Sequence, residues 1–118
     1  MAGKLVHFEL PATDTARARE FWSGLFGWKF QSWQEPVEYH MTEGIEPVGA
    51  IFRAEQTQSG NLVAYFDTDD IDRSIVRIRE LDGDAGEKQP IPGIGWFARC
   101  KDSEGNAFSL FQGDDSAG

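Results

Sequence analysis

Leu5-Val6-His7-Phe8-Glu9-Leu10, followed closely by Asp14 to Trp28 (DTARAREFWSGLFGW), is the stretch that decides the fold of this chain. Successive side chains of a strand point to opposite faces, so Val6, Phe8 and Leu10 share one face and Leu5, His7 and Glu9 the other. The first face is apolar and suits packing under a helix. The second sets an imidazole beside a carboxylate. Pro11-Ala12-Thr13 turns the chain, and Asp14 is placed to cap a helix by accepting free backbone N–H groups of its first turn. Ala18, Phe21, Trp22, Leu25 and Phe26 then recur at the spacing of one helical face, which predicts a stripe packed on the sheet, and Gly27 ends the helix.

Working outward, Trp28 to Trp33, Val37 to Thr42 and Val48 to Ala54 read as strands, with turns at Glu35-Pro36 and Glu43-Gly44. The polar segment from Glu55 to Gly60 reads as a connector. Beyond it the pattern restarts: a strand from Leu62 to Phe66, a cap at Asp69-Asp70, and an amphipathic helix through Ile71, Ile75, Val76, Ile78 and Leu81. Strands follow near Glu87 to Gln89, from Ile94 to Lys101 and from Ala107 to Gln112, the last two joined by a hairpin loop, Asp102-Ser103-Glu104-Gly105-Asn106. Each half is strand, helix, three strands, an internal duplication with a period of about 57 residues. We expect a single domain over 1–118, with module one at about 4–55, connector 55–60 and module two at about 61–113.

A chain of 118 residues with 40% hydrophobic and 26% charged residues is an ordinary globular composition, able to bury roughly 65% of its unfolded surface without a disulfide or metal. The net charge of −9 argues against a nucleic-acid or anionic-membrane partner, since both repel such a surface. No apolar run reaches membrane-spanning length and Met1-Ala2-Gly3-Lys4 lacks an apolar signal core, so the expected location is cytoplasmic. Cys100 is the only cysteine and reads as a small buried hydrophobe. Gly44, Gly49 and Gly60 read as turn or bulge glycines. There is no Gly-rich phosphate loop, Cys-x-x-Cys pair or Ser nucleophile motif.

His7 and Glu9 are the candidate acid–base pair: a carboxylate two residues on can orient one imidazole tautomer for proton abstraction next to a carbonyl. If His40 faced the same way it would complete a His7, Glu9, His40 facial set of the kind that holds non-haem iron. Tyr39 and Met41 lie on the opposite face of that strand, and the sequence leaves open which set faces His7. Tyr65 aligns with Glu9 across the duplication, and Trp28, Trp33, Trp96 and Phe111 are candidates for a cavity wall or subunit contact.

His7 to Asp14, the helix end Phe21-Trp22-Ser23-Gly24-Leu25-Phe26-Gly27-Trp28 and the closing Asp102-Ser103-Glu104-Gly105-Asn106-Ala107-Phe108-Ser109-Leu110 resemble the vicinal oxygen chelate superfamily of glyoxalase I, extradiol dioxygenases, fosfomycin-resistance enzymes and bleomycin-binding proteins. The resemblance implies an α+β fold, paired βαβββ modules forming a curved mixed-sheet cup, and a homodimer. In metal-dependent members a divalent ion sits on the first and last strand of each module. His7 matches the first such position by its spacing from Asp14. The counterpart in module two is Val63, or Leu62 or Ala64 with a slip, none of them a ligand. Gly49 to Phe52 offer nothing in module one's last strand, and Ser109 stands where relatives often carry Glu. One His with weak oxygen donors holds an ion poorly, which disfavours a divalent metal. The resemblance therefore points to a small-molecule-binding protein, sequestering an aromatic or drug-like metabolite in a cup that includes His7, Glu9, His40, Tyr65, Trp96 and Ser109. The alternative is a glyoxalase- or dioxygenase-type enzyme (a lyase, isomerase or dioxygenase) using His7 and Glu9 with or without a metal.

Overall fold

The structure is a computed structural model that describes residues 3–33, 37–57 and 62–118. In chain order the elements are β1 (Leu5–Ala12), α1 (Thr15–Phe26), β2 (Lys29–Ser32), β3 (Tyr39–Glu43), β4 (Val48–Arg53), β5 (Val63–Asp67), α2 (Ile71–Glu80), β6 (Asp84–Ala85), β7 (Gln89–Ile91), β8 (Gly95–Lys101) and β9 (Ala107–Gly113). The turn expected at Glu35-Pro36 and the end of the expected connector, residues 58–60, lie outside the described residues. The chain forms two compact units, His7–Val63 and Ala64–Gly118, the latter joined by the N-terminal residues up to Val6.

In the first unit the strands run in the order β2-β3-β4-β1. The β1–β4 pair is parallel and the other pairs are antiparallel. Parallel neighbours need a long crossover, and here α1, β2 and β3 supply it. Asp14 caps α1 by accepting the Arg17 N–H at 3.0 Å. Gly27 ends it in the left-handed conformation (φ 73), its N–H donated to the Ser23 carbonyl, the glycine C-cap that needs no Cβ. Gly49 is neither a turn nor a bulge residue, contrary to expectation: it lies inside β4, and a Cβ there would come within 2.1 Å of the Phe8 ring. The tip of the Phe8 ring thus occupies the space over Gly49 in β4.

The aromatic stripe of α1 is not a core face. Phe21, Leu25 and Phe26 are each about 60% exposed or close to it, at 60%, 58% and 60%, and the buried residue of α1 is Thr15. Ala18 and Trp22 are half-buried, Trp22 stacked on Trp28 at 4.9 Å and 12°, with Trp28 in turn against Phe8 at 6.1 Å. Large rings close over one another here and leave the rest of the helix face uncovered.

In the second unit the order is β5-β9-β8-β6, with β7 also on β8. Again the first and last strands, β5 and β9, are parallel. Asp70 caps α2 by accepting the Arg73 N–H, and Arg77 and Arg79 in its last turn complement the helix dipole. Ile71 and Ile75 pack with Ala85, Ala98, Cys100 and Leu110, flanked by Ile78, Trp96 and Phe108. Cys100 is buried as expected, and burial pushes its thiol pKa up, away from nucleophile chemistry. The single short strand predicted near Glu87 to Gln89 is instead two pieces, β6 and β7, on the same partner β8. Pro90 carries no N–H for a continuous ladder, and the chain between them is fixed by the Gly86 N–H donated to Arg99 O. No helix among the described residues is long and apolar enough to cross a membrane.

Candidate functional site

Register places the side chains. In the first unit His7 pairs with Val48 and Glu9 with Ala50 across β1 and β4, and Tyr39 with Phe52 and Met41 with Ala50 across β3 and β4. Paired residues share a face, so His7, Glu9, Val48, Ala50, Phe52, Tyr39 and Met41 lie together, and Phe8, Gly49, Ile51 and His40 lie on the other side. The question left open by the sequence is settled in favour of Tyr39. β3 stands two strands from β1, roughly 9–10 Å away, and the tyrosine side chain spans this distance over the small Ala50.

The Tyr39 hydroxyl donates to Glu9 Oε2 at 2.7 Å and lies 2.7 Å from His7 Nε2. The phenolic hydrogen goes to Glu9, and the Tyr39 oxygen and His7 Nε2 stand within hydrogen-bond distance of each other. Three groups from two strands therefore form one continuous chain, Glu9–Tyr39–His7. Glu9 is buried at 8% exposure. Burial holds the His7 pKa below its ordinary value; the nearby Glu9 charge and the Val48 backbone hydrogen bond oppose that shift without reversing it. Trp33 packs against Tyr39 with ring centroids 5.7 Å apart, so the polar chain is set among aromatic and aliphatic groups.

His40 does not join this chain. It lies on the opposite face of β3, its Nδ1 3.1 Å from Ser32 Oγ across the β2–β3 ladder, and the His7, Glu9, His40 facial set is not assembled. Alternation along a strand places neighbours 39 and 40 on opposite sides, and Tyr39 takes the His7 side.

In the second unit Tyr65, Ser109 and Arg99 form one cross-strand row over β5, β9 and β8. Tyr65 is 6% and Ser109 0% exposed. Trp96 is a correction to the expected wall: it pairs with Gln112 and packs into the α2 core, on the face opposite Ser109. Its indole N–H donates to Asp114 Oδ2 at 3.1 Å and Lys88 Nζ lies 4.6 Å over its ring. A polar groove of about 330 Å³ is lined by Val6, Asp67, Thr68, Asp69, Phe111, Gln112 and Gly113; of the predicted wall residues it includes Phe111.

Among the described residues no three His, Cys, Asp or Glu side chains converge as a metal site. His7 and Glu9 are bonded to Tyr39, Val63 has no donor atom, and Ser109 contributes one hydroxyl. These residues do not fit the divalent ion that the resemblance implies. Sequence reasoning missed Arg99 altogether, and the alternation of β8 against Ser109 was the signal that would have found it.

The paired βαβββ pattern matches known proteins. The bleomycin resistance protein-like N-terminal family matches residues 4–44. A glyoxylase-like domain-containing protein of Didymella fabae is 26% identical over 126 positions, covering 92% of each chain. Among solved structures, a glyoxalase/bleomycin resistance protein/dioxygenase superfamily member from Vibrio splendidus superposes with a TM-score of 0.72 at 14% identity, over 95% of this chain and 99% of that one. Streptomyces coelicolor methylmalonyl-CoA epimerase in complex with 2-nitronate-propionyl-CoA superposes with a TM-score of 0.66 at 13% identity, over 100% and 99%. The fold is the α+β glyoxalase-like fold. In sequence and in fold the chain is similar to proteins of the glyoxalase/bleomycin resistance/dioxygenase superfamily, the vicinal oxygen chelate proteins.

Proposed function

We propose that the protein binds a small molecule with a flat aromatic or drug-like body, without a complete metal site, and sequesters it. The observation that carries this is the Glu9–Tyr39–His7 chain among Trp33, Met41 and Phe52. A few polar groups, fixed in place by one another inside an apolar lining, suit recognition, because their geometry is set before the ligand arrives. The epimerase of Streptomyces coelicolor, held with 2-nitronate-propionyl-CoA, supports the use of this fold for small ligands. Calorimetric titration with divalent metal ions tests the reading: absent or weak binding is expected, and submicromolar one-to-one binding of any ion contradicts it.

One observation favours the second reading, an enzyme of glyoxalase or dioxygenase type. The lowered His7 pKa keeps the imidazole neutral near pH 7, the form in which it accepts a proton. On that reading His7→Ala abolishes turnover with the melting temperature within a few degrees of the parent. We also infer a homodimer, supported by the exposed Phe21, Leu25 and Phe26 of α1, a patch of the kind that marks protein contacts. Light scattering at twice the chain mass is the expected result, and a monomer at micromolar concentration contradicts it.

A further inference from the structure

The face of the second unit's sheet that carries Ser109 holds a feature the proposed function does not use. Phe97, Arg99 and Lys101 alternate along β8 onto this face, opposite Ala98 and Cys100, which enter the α2 core. Arg99 is directly across from Ser109, and Ser109 is directly across from Tyr65. The Arg99 guanidinium sits 5.6 Å over the Phe97 ring, and Phe97 pairs with Phe111.

Two independent observations point to a ligand. The Ser109 Oγ is fully buried and has no hydrogen-bond partner among the described residues, and such atoms are uncommon in folded proteins. Arg99 is exposed and forms none of the ion pairs found among the described residues, which join Arg17 to Asp14, Arg77 to Glu80 and Lys88 to Asp72. Among the acids near Arg99 in the ladder, Glu87 follows Gly86, whose N–H is donated to Arg99 O, Asp84 is paired with Lys101 and Asp67 with Phe111, and Asp67 already accepts the Lys4 N–H. On a chain of net charge −9, an anion binds only where a local cation outweighs the surrounding field.

We propose that this face binds the anionic group of a flat small molecule, with Arg99 as the charged anchor, the Ser109 hydroxyl in the layer across from it and Phe97 beside the apolar body. A planar guanidinium gives two parallel N–H donors to a carboxylate or phosphate, and its stacking on a ring fixes its plane. Lys101 adds a second positive charge along the strand. The assignment rests on the small-molecule reading above and adds to it the charge of the ligand: a carboxylate or a phosphate ester on a flat body.

Amide NMR titration of the whole chain with 2-naphthoate, 2-naphthyl phosphate and the neutral 2-naphthalenemethanol tests it. The anions are expected to shift the amides of residues 97–101 and 109, and the more strongly shifting one names the group recognised. Arg99→Gln, at an exposed position, is expected to weaken anion binding about tenfold and to leave the alcohol unchanged, and Arg99→Lys, which keeps the charge and loses the planar fork, is expected to restore only part of the loss. If the alcohol binds the parent as tightly as the anions, or Arg99→Gln binds the anions like the parent, the anion site falls and small-molecule binding stands. If none of the three probes shifts any amide of either unit, both fall together.

Discussion

The two modules repeat one plan and use it differently. In the second, α2 lays Ile71 and Ile75 into a closed aliphatic core with Ala85, Ala98, Cys100 and Leu110. In the first, α1 carries an equally periodic apolar face, yet Phe21, Leu25 and Phe26 remain exposed while Trp22 stacks on Trp28. The polar inventory divides too: the first module displays the hydrogen-bonded Glu9–Tyr39–His7 chain, the second a buried serine hydroxyl beside an arginine. Periodicity reports that a helix has an apolar face; it does not report whether the chain's own sheet covers that face. Compact branched side chains fit under a helix, whereas bulky rings stack on each other and leave their neighbours in water.

The largest effect that would break this contrast is a pair of truncations. Ile75→Ala is expected to cost about 2–5 kcal/mol in urea unfolding, because it opens a cavity in a packed core. Leu25→Ala, at an exposed position, should stay within about 0.5 kcal/mol of the parent. Equal costs would mean that both helices are buried alike. Next is Gly49→Ala: the new methyl meets the Phe8 ring, and overpacking of this kind is expected to lower stability by about 1–3 kcal/mol. A neutral result would show that Phe8 does not lie over β4.

Smaller again is Ser109→Ala. Removing an unpartnered buried hydroxyl should leave stability unchanged or raise it by up to about 1 kcal/mol, and a loss larger than that would mean the hydroxyl is bonded. The smallest effect is a slope with pH. His7 in the folded chain holds its proton less tightly than an ordinary imidazole, so the unfolded chain takes up the proton first as pH falls. Stability is therefore full above the ordinary imidazole range, declines as pH drops through it, and levels off below the folded pKa. His7→Gln should flatten that slope, and a parent more stable at pH 5.5 than at pH 7.5 would reverse the assignment.

Much of the fold was readable from the chain. Asp14 and Asp70 cap the helices as their positions suggested, Gly27 ends the first, and, apart from the strand expected near Glu87 to Gln89, the strands fall within a residue or two of the alternation that predicts them. What escaped was decided by partners far along the chain. Gly49 looks like any isolated glycine until Phe8 is seen above it. The exposure of Phe21 and Leu25 depends on what the sheet offers beneath them, and the split of β6 from β7 depends on both sharing β8. At the site, His7 and Glu9 were visible as an i, i+2 pair. The choice of Tyr39 over His40 needed the β3–β4–β1 register, and Trp96 was misplaced for want of the β8–β9 register.

The most direct test of the Glu9–Tyr39–His7 chain as a preorganised recognition site is a long-range ¹H–¹⁵N NMR spectrum of the His7 ring, recorded with and without one equivalent of zinc. Ring resonances unmoved by zinc are the predicted result. A ring whose signals shift stoichiometrically with zinc would contradict it and make His7 a metal ligand.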